Sequence, residues 1–204
     1  LTDGEHDVML FSDGGKAVRF DENDVRPMGR NAHGVRGMML DDGQRVIAML
    51  VAEDETQSVL TATENGYGKR TPIDEYRLVH RGAKGVITMN VTDRTGRVVG
   101  VLQVTRDDDE IMLVTNAGKM IRLSVGEIRK TGRAAQGVRL VNLGDEAAEQ
   151  VASVAPVARE EVTPGAEGGD AAEVRRGRLH RQVDDRHHER LRGAHALHDR
   201  RTAR

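Results

Sequence analysis

Three sequence blocks recur in the same order along this chain, at steps of 51 or 52 residues. VMLFSDGGKAVRF begins at Val8, VLTATENGYGKRT at Val59 and IMLVTNAGKMIRL at Ile111. A second block, GRNAHGVRGMML from Gly29, HRGAKGVITMN from His80 and GRAAQGVRLVN from Gly132, brings the glycine-valine pairs Gly34-Val35, Gly85-Val86 and Gly137-Val138. The third is apolar: RVIAML from Arg45, RVVGVLQV from Arg97 and EQVASVAPV from Glu149. Self-similarity at such a period marks a repeat architecture, in which one unit cannot bury its apolar faces alone.

Each unit reads as strands. The first block is an apolar run, a turn and a second run. Its turns, such as Asp13, Gly14 and Gly15 or Glu64, Asn65 and Gly66, supply the positive φ that hairpins need. The other two blocks add two short strands, joined through Asp41, Asp42 and Gly43 or through residues 93–96. About four strands per repeat is the pattern of a propeller blade. The expected organisation is all-β: blade repeats at 1–55, 56–107 and 108–160, then a disordered tail at 161–204. Residues 126–130 have room for one helical turn. Three blades leave two open ends, so a larger ring or spiral, or pairing with another copy, is expected.

The tail departs in composition. Residues 160–173 are acidic and rich in Gly, Ala and Pro, which favours disorder. From Val174 the chain turns to Arg and His, with five of its eight histidines at His180, His187, His188, His195 and His198. With no cysteine, disulfides and cysteine-ligated zinc are excluded. No apolar run reaches the roughly 18 residues of a membrane span. Acidic residues outnumber basic ones up to residue 160, so a nucleic-acid role must rest on where the charges sit.

The middle repeat, TENGYGKRTPIDEYRLVHRGAKGVITMNVTDRTGRVVGVLQV at residues 63–104, resembles a late blade of the C-terminal domain family of the DNA gyrase A subunit. IMLVTNAGKMIRLSVGEIRKTGRAAQGVRLVNL resembles that domain's last blade, and GRNAHGVRGMML the blade before. The resemblance covers about residues 5–160. It implies a propeller-like β-pinwheel with double-stranded DNA wrapped on its outer rim. It also implies work within an A2B2 assembly with the remainder of the gyrase A subunit and with the gyrase B subunit, in the bacterial cytoplasm and on the chromosome, with no membrane partner. ATP and Mg2+ would be used elsewhere in that enzyme, with no cofactor, metal or catalytic group in this segment. The family's glycine- and arginine-rich box and its breakage-reunion domain do not occur in this sequence. Gyrase A tails are typically acidic to the end, so the Arg/His-rich stretch from Val174 suggests a change of reading frame in GC-rich DNA. Resequencing the 3′ end of the gene and finding an intact frame would refute this.

Phosphate binding needs cations spaced along a surface. Strand alternation sets Arg19 opposite Val18 and Phe20, and Arg122 opposite Ile121 and Leu123, with Arg70 at the equivalent place. Lys16, Lys69 and Lys119 stand near the turns. Arg30, Arg81 and Arg133 precede the glycine-valine pairs, with Arg36, Lys84 and Arg139 close by. These twelve are the expected DNA contacts, and scarce aromatics argue against single-strand stacking. Asp21, Glu22, Asp24 and residues 107–110 fall between strands or blades, where they would face away from DNA.

Other patterns carry less. Residues 107–110 read as a solvated acidic loop rather than a metal site, and the tail histidines as adventitious metal ligands. Residues 66–70 lack phosphate-loop spacing. Tyr67 and Tyr76 lack activating neighbours in sequence and read as structural. The competing readings are the C-terminal domain of the topoisomerase IV A-type subunit, whose blades are more degenerate, and a protein-binding propeller scaffold.

Overall fold

The computed structural model describes residues 2–144 and 148–158. The tail expectations, five histidines included, lie outside them. Eleven strands occur among the described residues: β1 (Asp7–Ser12), β2 (Lys16–Asp21), β3 (Val46–Ala52), β4 (Ser58–Thr63), β5 (Tyr67–Pro72), β6 (Val86–Ile87), β7 (Val98–Val104), β8 (Glu110–Thr115), β9 (Met120–Ser124), β10 (Val138–Arg139) and β11 (Val151–Pro156). The first block forms the hairpins β1–β2, β4–β5 and β8–β9, registered by pairs such as Val8 with Phe20, Val59 with Thr71 and Ile111 with Leu123. The third-block strand then pairs antiparallel with the first strand of its own hairpin.

The fourth strand does not stay in its own repeat, as the blade pattern predicts. β6, from the middle repeat, pairs with β2 in the first sheet, ordered β3-β1-β2-β6. β10, from the last repeat, completes the middle sheet, ordered β10-β5-β4-β7. The last sheet has three strands, β11-β8-β9. The cause is local. After its second strand each hairpin makes a 3-10 turn (Glu22–Asp24, Ile73–Glu75, Val125–Glu127), the last of these close to the helical turn expected at 126–130. This turn redirects the chain, which in the second and third repeats lands on the preceding blade. There it needs glycine. Gly85 has φ +76°, and a Cβ on it would lie 2.3 Å from the Ala17 carbonyl oxygen. Only a residue without a side chain brings the backbone close enough to pair.

Alternation along β4 shows how the blades stack. Val59 joins Met9, Phe11, Ile73, Tyr76 and Met89 in one apolar cluster. Its neighbour Leu60 points the other way, into a cluster with Ile111, Leu113, Val125 and Ile128. Every residue of β4 is buried, because the middle sheet has a blade on each face. β7 lies against both β3 and β11, so the third-block strands form the inner side of the array. The exchanged strands therefore occupy the opposite, outer edge.

Candidate nucleic-acid interface

Two segments run along that outer edge. Residues 77–79 lie parallel to β2, with the Val79 amide donating to the Arg19 carbonyl at 2.8 Å. Residues 129–131 do the same beside β5, the Thr131 amide donating to the Arg70 carbonyl at 2.8 Å. Each segment then continues through a loop and returns as β6 or β10, which leaves Lys84 exposed and Arg81 and Arg133 partly so.

The arginines expected to face DNA divide. Arg19 is largely buried: its guanidinium donates to Asp7 at 2.7 Å and Glu55 at 3.1 Å, and to the carbonyls of Ile73 and Tyr76 at 3.3 Å each. Arg70, 5% exposed, donates to the Ile128 carbonyl at 2.6 Å and to Asp107 at 2.5 Å. Both therefore clamp the turn of the following repeat onto their own blade. The alternation holds, but the face opposite the first core is packed under the next repeat rather than open to solvent. Arg122 holds the same place in the last hairpin. No following turn covers it among the described residues, so its side chain stays 59% exposed and pairs with Glu110. Glu110 raises its pKa.

Lys69 is fully buried and so is withdrawn from phosphate contact. It aligns with Val18 and Ile121, not with the turn lysines Lys16 and Lys119, and so points inward. Its Nζ donates to the carbonyls of Gly132, at 2.8 Å, and Arg133. Burial lowers its pKa to about 8. Arg81 is half-buried, donating to the carbonyls of Asp24 at 2.9 Å and Arg36 at 3.2 Å. Arg133 reaches the Ile87 carbonyl at 3.3 Å, with Glu75 4.0 Å away.

The remaining expected contacts are accessible. Arg30 and Arg36 are exposed and have no acidic partner among the described residues. Lys16 pairs with Asp41 at 2.6 Å, and Lys84 lies 3.6 Å from the same carboxylate. Lys16 holds the Asp41 pKa below its ordinary value. Lys119 pairs with Glu149 at 2.7 Å and lowers that pKa likewise. Arg139 is exposed and donates to Asn142 and to the Tyr67 hydroxyl, at 3.0 and 3.1 Å. The acidic run at 107–110 is engaged by Arg70, Arg106 and Arg122. Tyr76 is buried, its hydroxyl 2.6 Å from that of Thr88, and burial raises its pKa to about 12.

One set of cations is not among the twelve expected contacts. Arg26, Arg77 and Arg129 directly follow the three 3-10 turns or their capping residue, all three are exposed, and none has an ion-pair partner among the described residues. Arg77 and Arg129 sit on the two outer-edge segments, and Arg26 holds the same place in the first repeat. Their recurrence at the 51- and 52-residue step is present in the sequence. It is hidden there because these arginines lie outside the three recurring blocks.

Four-stranded blades that borrow their outer strand from the next repeat, with cations along that edge, define a β-pinwheel repeat protein. The profile of the family described as "DNA gyrase C-terminal domain, beta-propeller" matches residues 6–53, 57–105 and 109–158. The chain belongs to this family. The DNA gyrase A subunit of Staphylococcus aureus is 48% identical over 158 residues, which make up 77% of this chain and 18% of that protein. The chain thus spans under a fifth of the length of these relatives. Among solved structures, a DNA gyrase A C-terminal domain superposes with a TM-score of 0.67 at 29% identity, covering 76% of this chain and 52% of that one. The C-terminal domain of a DNA topoisomerase IV superposes with a TM-score of 0.70 at 30% identity, covering 77% and 48%.

Proposed function

We propose that this chain is a non-catalytic duplex-DNA-binding and wrapping part of a gyrase A subunit. The observation that carries the reading is the recurrence of Arg26, Arg77 and Arg129, exposed and without ion-pair partners among the described residues, one per repeat. Cations regularly spaced on a curved edge offset the cost of bending duplex, which is about 1–6 kcal/mol for a 20–30 bp site. Carboxylates held elsewhere in the chain support it: Asp7, Asp41, Asp107 and Glu149 pair with the chain's own Lys and Arg. The accessible members of the expected set, Arg30, Arg36, Lys84, Arg122 and Arg139, add positive charge. Within a whole enzyme the partners would be the remainder of the gyrase A subunit and the gyrase B subunit, in the bacterial cytoplasm on the chromosome. ATP and Mg2+ would be used outside this segment.

Binding of random-sequence linear duplex across a salt series tests this. The expected result is affinity that falls steeply with salt, and a shallower slope in the triple variant Arg26→Ala, Arg77→Ala, Arg129→Ala, by about 0.9 for each phosphate that is no longer neutralised. A folded protein indifferent to duplex at low salt overturns the reading.

A further inference from the structure

The three blades differ beside the hairpin turn, which in the first two meets the exchanged strand. In the first blade a carboxylate sits between the cations beside this turn, since Asp41 lies 2.6 Å from Lys16 and 3.6 Å from Lys84. In the third, Glu149 takes Lys119 at 2.7 Å. The middle blade has Tyr67 where the others have Lys16 and Lys119, and Arg94 where the first has Asp42. Tyr67 is buried, and its hydroxyl oxygen accepts from Arg94 Nε at 3.0 Å and from Arg139 Nη2 at 3.1 Å. Both guanidinium groups also lie over its ring, 5.2 and 5.5 Å from the centroid.

Two exposed guanidinium groups are thus held within two hydrogen-bond lengths of each other, and neither has a carboxylate partner among the described residues. Like charges at that separation repel. The phenol supplies a neutral acceptor and a π face, which fix their positions without cancelling either charge. Arg139 Nη1 also donates to Asn142 Oδ1 at 3.0 Å. The guanidinium donors that all these contacts leave free match an anion with two oxygens, the geometry of a phosphodiester.

We infer that Arg94 and Arg139, oriented by Tyr67, form a clamp for one backbone phosphodiester of duplex DNA, found among the described residues in the middle blade. The inference rests on the duplex-binding reading above and goes further by naming one contact and its positioning residue. Arg139 sits on the exchanged strand β10, so the last repeat must dock on the middle blade before the clamp exists. Arg94 belongs to the turn before β7. Both arginines together with Tyr67 therefore report on assembled blades rather than on a linear motif.

The test is the same salt series, run on the full chain, with Arg94→Ala/Arg139→Ala, with Tyr67→Phe and with Arg106→Gln. The last removes a charge that is already paired with Asp108 at 3.1 Å. Far-UV circular dichroism establishes that each variant is folded. The double variant is expected to bind about tenfold more weakly at low salt, with a slope shallower by about 0.9 for the single phosphate released. Tyr67→Phe loses less affinity, because the cations remain but are no longer oriented, and Arg106→Gln matches the wild type. If the wild type binds duplex and the double variant has the same slope and affinity, the clamp is refuted while the wrapping reading stands. A wild type that fails to bind duplex at low salt takes both down. Tyrosine fluorescence titrated with inorganic phosphate separates the two sources of phosphate. A saturable response that the double variant loses, without any change in its DNA slope, makes this a free-phosphate site and overturns the diester assignment.

Discussion

Arg70 and Arg122 occupy the same place in two copies of one repeat, yet the structure assigns them different work, and replacing each with alanine separates the two roles. Arg70 is 5% exposed, and its Nε donates to the buried Ile128 carbonyl at 2.6 Å. A hydrogen bond from a charged donor contributes about 1.5–3 kcal/mol, and a buried carbonyl left unpaired costs about 1–3 kcal/mol. These overlap rather than add, since both describe the removal of one interaction, and the Arg stem that packs between blades goes as well. Arg70→Ala should therefore destabilise the fold by about 3 kcal/mol. For a body of this size that is a fall in unfolding midpoint of roughly 6–12 °C. The Asp107 carboxylate returns to water at no comparable cost, because its side chain is already 71% exposed. Arg122→Ala breaks only an exposed pair with Glu110 and should leave the midpoint near that of the wild type. Calorimetry of the three proteins in one buffer is sufficient. Equal, small shifts for the two variants would falsify the staple, since Arg70 would then be no more constrained than a solvated arginine. Arg19→Ala, which also releases two carbonyls of the next repeat, should resemble Arg70→Ala.

Two further outcomes follow from the packing. The buried Lys69 has a folded pKa of about 8 against an ordinary 10.5, so the unfolded chain binds more protons between these values and stability rises with pH across that window. The gain is about 3 kcal/mol at roughly 1.36 kcal/mol per pH unit. Urea unfolding from pH 8 to 10.5 should show it in the wild type and not in Lys69→Met, and a difference between the two that stays flat with pH refutes it. Gly85→Ala should cost at least about 2 kcal/mol, since it adds a clash with Ala17 to the strain of a positive φ. Gly34→Ala, at φ +80° with nothing within 4 Å, carries the strain alone, and equal losses for the two would show that the close approach is not limiting.

Much of this architecture was legible in the amino-acid sequence. Block spacing and two-residue alternation are local properties, and they determined the strand class, the hairpins, the blade count and the glycine-valine pairs. The second and third of those pairs mark where backbone comes close to backbone, Gly85 against Ala17 and Gly137 against Gly68. The resemblance to the gyrase family rested on the same local text. Which sheet a strand joins is a long-range choice, and nothing in HRGAKGVITMN states that Val86 will pair with Ala17 rather than within its own repeat. That choice then decided the fate of the cations. Alternation fixes only which side of a strand Arg19 and Arg70 leave from. Whether that side meets water or the carbonyls of the next turn depends on exchange between repeats, and so two expected rim arginines became staples. Lys69 was misplaced because a lysine in an inward position reads as surface until a pair of carbonyls is found to receive it. The pairing of Arg94 with Arg139 across Tyr67 was invisible for the same reason. It joins residues 45 positions apart in two repeats, and only the docking of one blade on the next brings them together.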